Sequence, residues 1–124
     1  MRFTLTLAAA VILGAPAAAQ APVPSASPTL SLEQIMLLRC SAAFAIAAGQ
    51  APADPVLAKR GREYFVRASA RLMDELALTR EDVAARLRAE VAAQRQAAAS
   101  SGDAAAHAAQ VMEPCLIALN ASGL

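Results

Sequence analysis

The stretch Leu30–Gly49, LSLEQIMLLRCSAAFAIAAG, decides the fold. Ser31 is followed three residues later by Gln34, the capping-box spacing in which the hydroxyl accepts from a backbone N–H of the first turn and the amide reaches back. Leu30 and Ile35 occupy the two positions of a hydrophobic staple, and Gly49 supplies the stop. These signals predict a helix from Ser31 to about Ala48. Plotted at about 100° per residue, its apolar groups cover nearly the whole circumference, and only Gln34 and Ser41 mark a polar strip. A helix apolar on so many sides is central in a bundle or sits at an interface. Arg39 lies among Leu32, Ile35, Met36, Ala43 and Ile46. Two expectations compete for it. Either Asp74 or Glu75 pairs with it inside one chain, because a buried guanidinium needs a carboxylate, or it rims a contact between this helix and another chain.

The same punctuation recurs downstream. Asp54-Pro55 places an N-cap before proline at the first helical position. Leu57, Gly61, Tyr64/Phe65, Ala68, Leu72 and Leu76 then trace one helical face to about Leu78. Gly61 on that face either weakens the helix by about 1 kcal/mol or admits a close neighbour. Thr79 with Asp82 repeats the capping box, Leu78 with Val83 repeats the staple, and Val83, Leu87 and Val91 follow on an otherwise charged or alanine-rich helix. Asp82–Arg86 and Arg86–Glu90 are spaced as i,i+4 pairs. Ser100–Asp103 (SSGD) is a turn, and Asp103 caps a last helix from Ala104 to about Ala121, ending near Gly123. Pro114 inside it should kink or split it just before Cys115. Tyr64 and Phe65 are expected in the core with Phe44. Four helices with short connections predict an all-α, up-down-up-down four-helix bundle, with the first and last helices as neighbours. In that antiparallel pair Cys40 and Cys115 stand at nearly equal heights, so one interhelical disulfide is expected. Closing about 75 residues, it would contribute about 4 kcal/mol.

Composition bounds the rest. Of 124 residues 35 are alanine, so the 57% hydrophobic fraction overstates the core. The scarcity of aromatics, with no Trp, argues against a β-sandwich or barrel. Met1-Arg2, the apolar run Phe3–Ala15 and the small residues Ala17-Ala18-Ala19 have the pattern of a secretory signal peptide, with cleavage expected near Ala19. The apolar run is shorter than the roughly 20 residues a span requires. Three parts are therefore expected: a signal peptide at 1–19, a flexible Pro/Ala leader at 20–30 and a helical domain at 31–124. Removing Arg2 leaves ten basic and ten acidic residues from the eleven and ten of the full chain. Zero net charge removes the electrostatic case for nucleic acid or an anionic membrane surface. A periplasmic or secreted location suits a paired Cys40 and Cys115.

Chemistry-bearing patterns are few. There is no C-x-x-C, no haem-attachment motif, and one histidine is too few for a zinc site, so no catalytic residue, metal site or cofactor is expected. His107 is read as a solvated side chain. The adjacent acids Asp74-Glu75 and Glu81-Asp82 are read as helix surface. Arg60, Arg67 and Arg71 share one face and, with Arg39, are the candidate interaction residues for an anionic ligand or acidic partner. Glu63–Arg67 and Arg71–Glu75 spacings would neutralise much of that face.

The pattern Leu38-Arg39-Cys40-Ser41-Ala42-Ala43-Phe44, then Arg60-Gly61-Arg62-Glu63-Tyr64-Phe65, then a last-helix cysteine resembles small exported all-helical bacterial proteins with two cysteines. That resemblance brings no known activity. In plan the chain is also similar to the one-disulfide helical acid chaperones of the periplasm, whose strongly charged tails it lacks. The expectation is a non-enzymatic binding or protein-interaction module, with an unknown protein partner or self-association through the first helix. An acid-stress or general periplasmic chaperone is the alternative, and a small enzyme or metal-binding protein the remotest reading.

Overall fold

The computed structural model describes residues 28–124, so the expected signal peptide at 1–19 and most of the expected leader lie outside the described residues. Four helices follow in order: α1 (Leu32–Ala48), α2 (Pro55–Leu76), α3 (Arg80–Ser100) and α4 (Ala104–Ala121), with no strand among the described residues.

Each start obeys its local signal. The Ser31 Oγ accepts from the Gln34 N–H at 3.2 Å, and the Ser31 N–H donates to Gln34 Oε1 at 2.9 Å. The Asp54 carboxylate accepts from the N–H groups of Val56 and Leu57, and Asp103 from that of Ala106. Thr79 and Asp82 form the reciprocal box. Helix ends are less regular. Gly49 closes α1 in right-handed geometry (φ −85°), so its freedom to turn left-handed is not used. The second helix stops at Leu76, two residues earlier than its periodicity suggests, because Ala77 adopts φ +51°. At the last helix it is Gly123, φ +74°, that takes the left-handed turn. Pro114 neither ends nor splits α4. Both Pro114 and Gln110 lie on its exposed side, so the carbonyl that loses its helical donor faces water.

The helices alternate up and down. The first helix is central: it packs on all three others, most extensively on α2 and α3, whereas α2 and α4 barely meet. Its all-round apolarity is thereby explained, and α3 has Val83 as its one buried residue. The core falls into two clusters. One joins Cys40, Ala43, Phe44, Tyr64, Ala68, Val111, Cys115 and Leu119. The other joins Leu38, Leu72 and Val83, with Leu30, Leu76 and Leu78 packed on it. Leu30 packs there, while Ile35 stays 44% exposed. Phe44 and Tyr64 meet edge to face at 5.4 Å, whereas Phe65 is only half-buried. Gly61 proves to be a close-approach position, since a Cβ there would lie 2.7 Å from the Cβ of Phe44. The Cys40–Cys115 disulfide is present, both residues fully buried, with Cα atoms 5.1 Å apart.

The strip marked by Gln34 and Ser41 does not face solvent. Both residues are buried, and both are satisfied there. Ser41 donates to the Leu37 carbonyl at 2.7 Å, and Gln34 donates to Glu75 Oε2 at 2.8 Å. Beside the exposed Glu33 at the start of α1, Leu32 is 77% exposed.

Candidate binding groove

A groove of about 610 Å³ opens at the end of the bundle where α1 finishes. The C-terminal half of α1 supplies Ala43, Ile46 and Ala47, and α2 supplies Leu57. The last turns of α3 contribute Ala98 and Ala99, and the first turns of α4 contribute Ala104, Ala108 and Ala109, with Val111 and Met112 deeper in. Where three helices meet through methyl groups, the space between them is bordered rather than filled. The disulfide and Val111 hold α4 against α1 at the groove's inner edge. Such a volume lies within the range of about 300–1,000 Å³ typical of small-molecule sites, and the wall is mainly apolar, as those sites require.

Four polar side chains border the wall: Gln50, Gln94, Arg95 and His107. The Gln94 amide donates to the Arg39 carbonyl at 2.8 Å and to Glu90 Oε1 at 3.0 Å, which braces α3 against α1. His107, read from sequence as a solvated side chain, is half-buried and lines the groove. No cluster of three or more His, Cys, Asp or Glu suited to a metal ion occurs among the described residues.

The arginines of the candidate face are engaged within the chain. Arg60 donates to Asn120 Oδ1 at 3.0 Å and to the main-chain oxygen of Leu124, and Arg67 donates to the Ser122 carbonyl at 3.3 Å. Both therefore tie α2 to the end of α4. Arg71 forms a fork to Glu33 and Glu75, each N···O distance 2.5 Å, tying α2 to the start of α1. Its hydrogen bond holds the Glu33 carboxyl below the ordinary value, and the bonds from Arg71 and then Gln34 do the same for Glu75. The two carboxylates in turn raise the guanidinium's value. Glu63 pairs with Lys59 rather than Arg67. The spacings Asp82–Arg86 and Arg86–Glu90 yield no ion pair among the described residues: Asp82 is held by Thr79, which lowers its pKa through a backbone and then a side-chain hydrogen bond, and Glu90 accepts from Gln94. Burial pushes the Tyr64 hydroxyl up.

Arg39 is exposed, and the intramolecular pair expected for it does not form, since Glu75 is taken by Arg71 and Gln34. Its only cross-helix bond is made by its backbone carbonyl, to Gln94. None of the four arginines lines the groove.

Compared with protein-family models, with curated proteins and with solved structures, the chain matches none.

Proposed function

We propose that this chain is an exported, non-enzymatic binding module of the bacterial envelope or its surroundings, and that the groove between α1, α3 and α4 is where it binds. The observation that carries the reading is the groove itself: a mainly apolar cavity of about 610 Å³ in a small bundle whose opposite end is packed. Export draws support from the signal-peptide pattern of residues 1–19, from the disulfide, and from the absence, among the described residues, of a helix long and apolar enough to cross a membrane. The test is titration of the oxidised mature protein with the neutral apolar dye N-phenyl-1-naphthylamine. Saturable fluorescence is expected for the wild type and its loss in an Ala98→Leu/Ala108→Leu variant that retains the wild-type melting curve. A folded wild type without saturable binding would sink the proposal. Self-association through α1 is a separate proposal, supported by the exposed Leu32 and Ile35 flanking Arg39. Sedimentation of wild type against Leu32→Ser/Ile35→Ser checks it, and a strictly monomeric wild type at high concentration overturns it.

A second reading, an acid-activated chaperone, is favoured by the Glu33–Arg71–Glu75 fork, which acid would release beside an apolar cluster. Client protection at low pH with none at neutral pH would support it.

A further inference from the structure

Resting on the groove reading above, we infer that the ligand is an anionic amphiphile, an alkyl chain ending in a single carboxylate. The wall is built from Ile46, Leu57, Val111, Met112 and alanine methyls, which suits an unbranched hydrocarbon. The charge at its edge has one sign. Arg95 is the one charged side chain that lines it, His107 adds an imidazole, and no Asp or Glu takes part. Arg95 is also unpaired: the ion pairs among the described residues join Lys59–Glu63, Arg71–Glu33 and Arg71–Glu75, and no hydrogen bond from the Arg95 side chain occurs. The Gln94 amide beside it is committed to Arg39 and Glu90. A guanidinium at the border of an apolar wall lays its methylene stem on that wall and keeps its planar donors at the rim. There a carboxylate is taken in a two-bond fork, in surroundings drier than bulk water. An ammonium head would meet like charge, and an alcohol would leave the cation as it stands.

A single alkyl chain with a small head fits within about 610 Å³ and matches the sign of the rim.

The experiment displaces N-phenyl-1-naphthylamine from the oxidised mature protein with dodecanoate, dodecanol and dodecyltrimethylammonium, each below its micelle concentration. In the wild type dodecanoate should compete at about tenfold lower concentration than dodecanol. In Arg95→Gln that ratio should collapse towards one, and His107→Gln should erode it less. Arg95 is exposed on α3, so this variant keeps its fold, and its melting curve verifies that. Equal competition by acid and alcohol in the wild type, or preference for the ammonium, overturns the inference and leaves an apolar site standing. Failure of the dye itself to bind overturns the groove reading beneath it. A dimer that forms with concentration and is lost in Ala98→Leu/Ala108→Leu also overturns it, assigning the groove to a second copy.

Discussion

At the end of the bundle where α1 begins, Leu38, Leu72 and Val83 are 7%, 1% and 2% exposed, and Arg71, Gln34, Glu33 and Glu75 tie two helices together above them. At the end where α1 finishes, the facing positions of α1, α3 and α4 are mostly alanine, and a groove of about 610 Å³ stands open. Both ends are helix packed on helix. The difference lies in side-chain volume and in polar pairing. Leucine and valine on three helices fill the first end to interior density, while methyls leave the second unfilled. The packed core and the proposed binding groove thus lie at opposite ends of one element, α1, with the Cys40–Cys115 link between them.

Breaking that link tests the division most severely. A Cys40→Ala/Cys115→Ala variant, or the reduced wild type, releases a 75-residue loop and is expected to lose about 4 kcal/mol of unfolding free energy in urea. Hydrogen exchange should show α4 losing protection before the start of α1 and the end of α2, since α4 meets α1 less extensively than α2 does. Uniform loss across all four helices would mean that the two ends are one cooperative unit.

Next in size is a paired truncation. Leu72→Ala at the packed end should cost about 3 kcal/mol, because 99% of the side chain is buried and its neighbours cannot collapse onto the space. Met112→Ala, which borders an existing groove, should cost about 1 kcal/mol or less, since it enlarges a space already open to solvent. Equal costs by chemical denaturation would erase the contrast.

Gly61→Ala examines the middle. The added methyl would sit 2.7 Å from the Cβ and 3.1 Å from the Cγ of Phe44, atoms fixed near the backbone of α1 rather than at a flexible tip. Overpacking should cost about 2 kcal/mol, which outweighs the gain of about 1 kcal/mol in helix propensity. A variant as stable as the wild type would show that α1 and α2 can separate slightly without loss.

The fates of particular residues show how much of this was legible beforehand. Ser31, Asp54, Thr79 and Asp103 were readable as caps because each acts within three residues of itself. The cysteine pairing was readable because helix order and height fix it. Gln34 and Ser41 were readable as a polar strip, but periodicity does not tell which side of a helix is wet, and both are buried. The Gln34 partner, Glu75, is 41 residues away. The groove was not legible either. Its signal is the alanines at 98–99, 104 and 108–109 on either side of one turn, which also read as ordinary helix formers. Only the packing of α3 and α4 on α1 distinguishes an alanine that closes a contact from one that leaves room. His107 changed meaning for the same reason.

The smallest effect concerns acid, and it should separate the two ends by sign of charge. Glu33 and Glu75, held by Arg71, and Asp82, held by Thr79, all have pKa values lowered in the folded state, and all lie at the packed end. A carboxyl with a lowered folded value contributes stability that is complete above its unfolded value and is lost as pH falls through the folded one. The packed end should therefore weaken as pH falls below the ordinary carboxylate range. Arg71→Gln removes the donor for two of the three carboxylates, so its melting temperature at neutral pH should drop modestly and its further fall on acidification should be shallower than that of the wild type. Asp82 keeps its bonds to Thr79 in that variant and retains its own share. These groups are exposed and their pairs are screened, so the acid effect should also shrink in high salt. Exchange protection at the start of α1 should follow the same pH curve, ahead of α4, where none of the three carboxylates resides. If Arg71→Gln keeps the full wild-type acid slope, the fork adds nothing to stability, and the packed end owes its strength to leucine and valine alone.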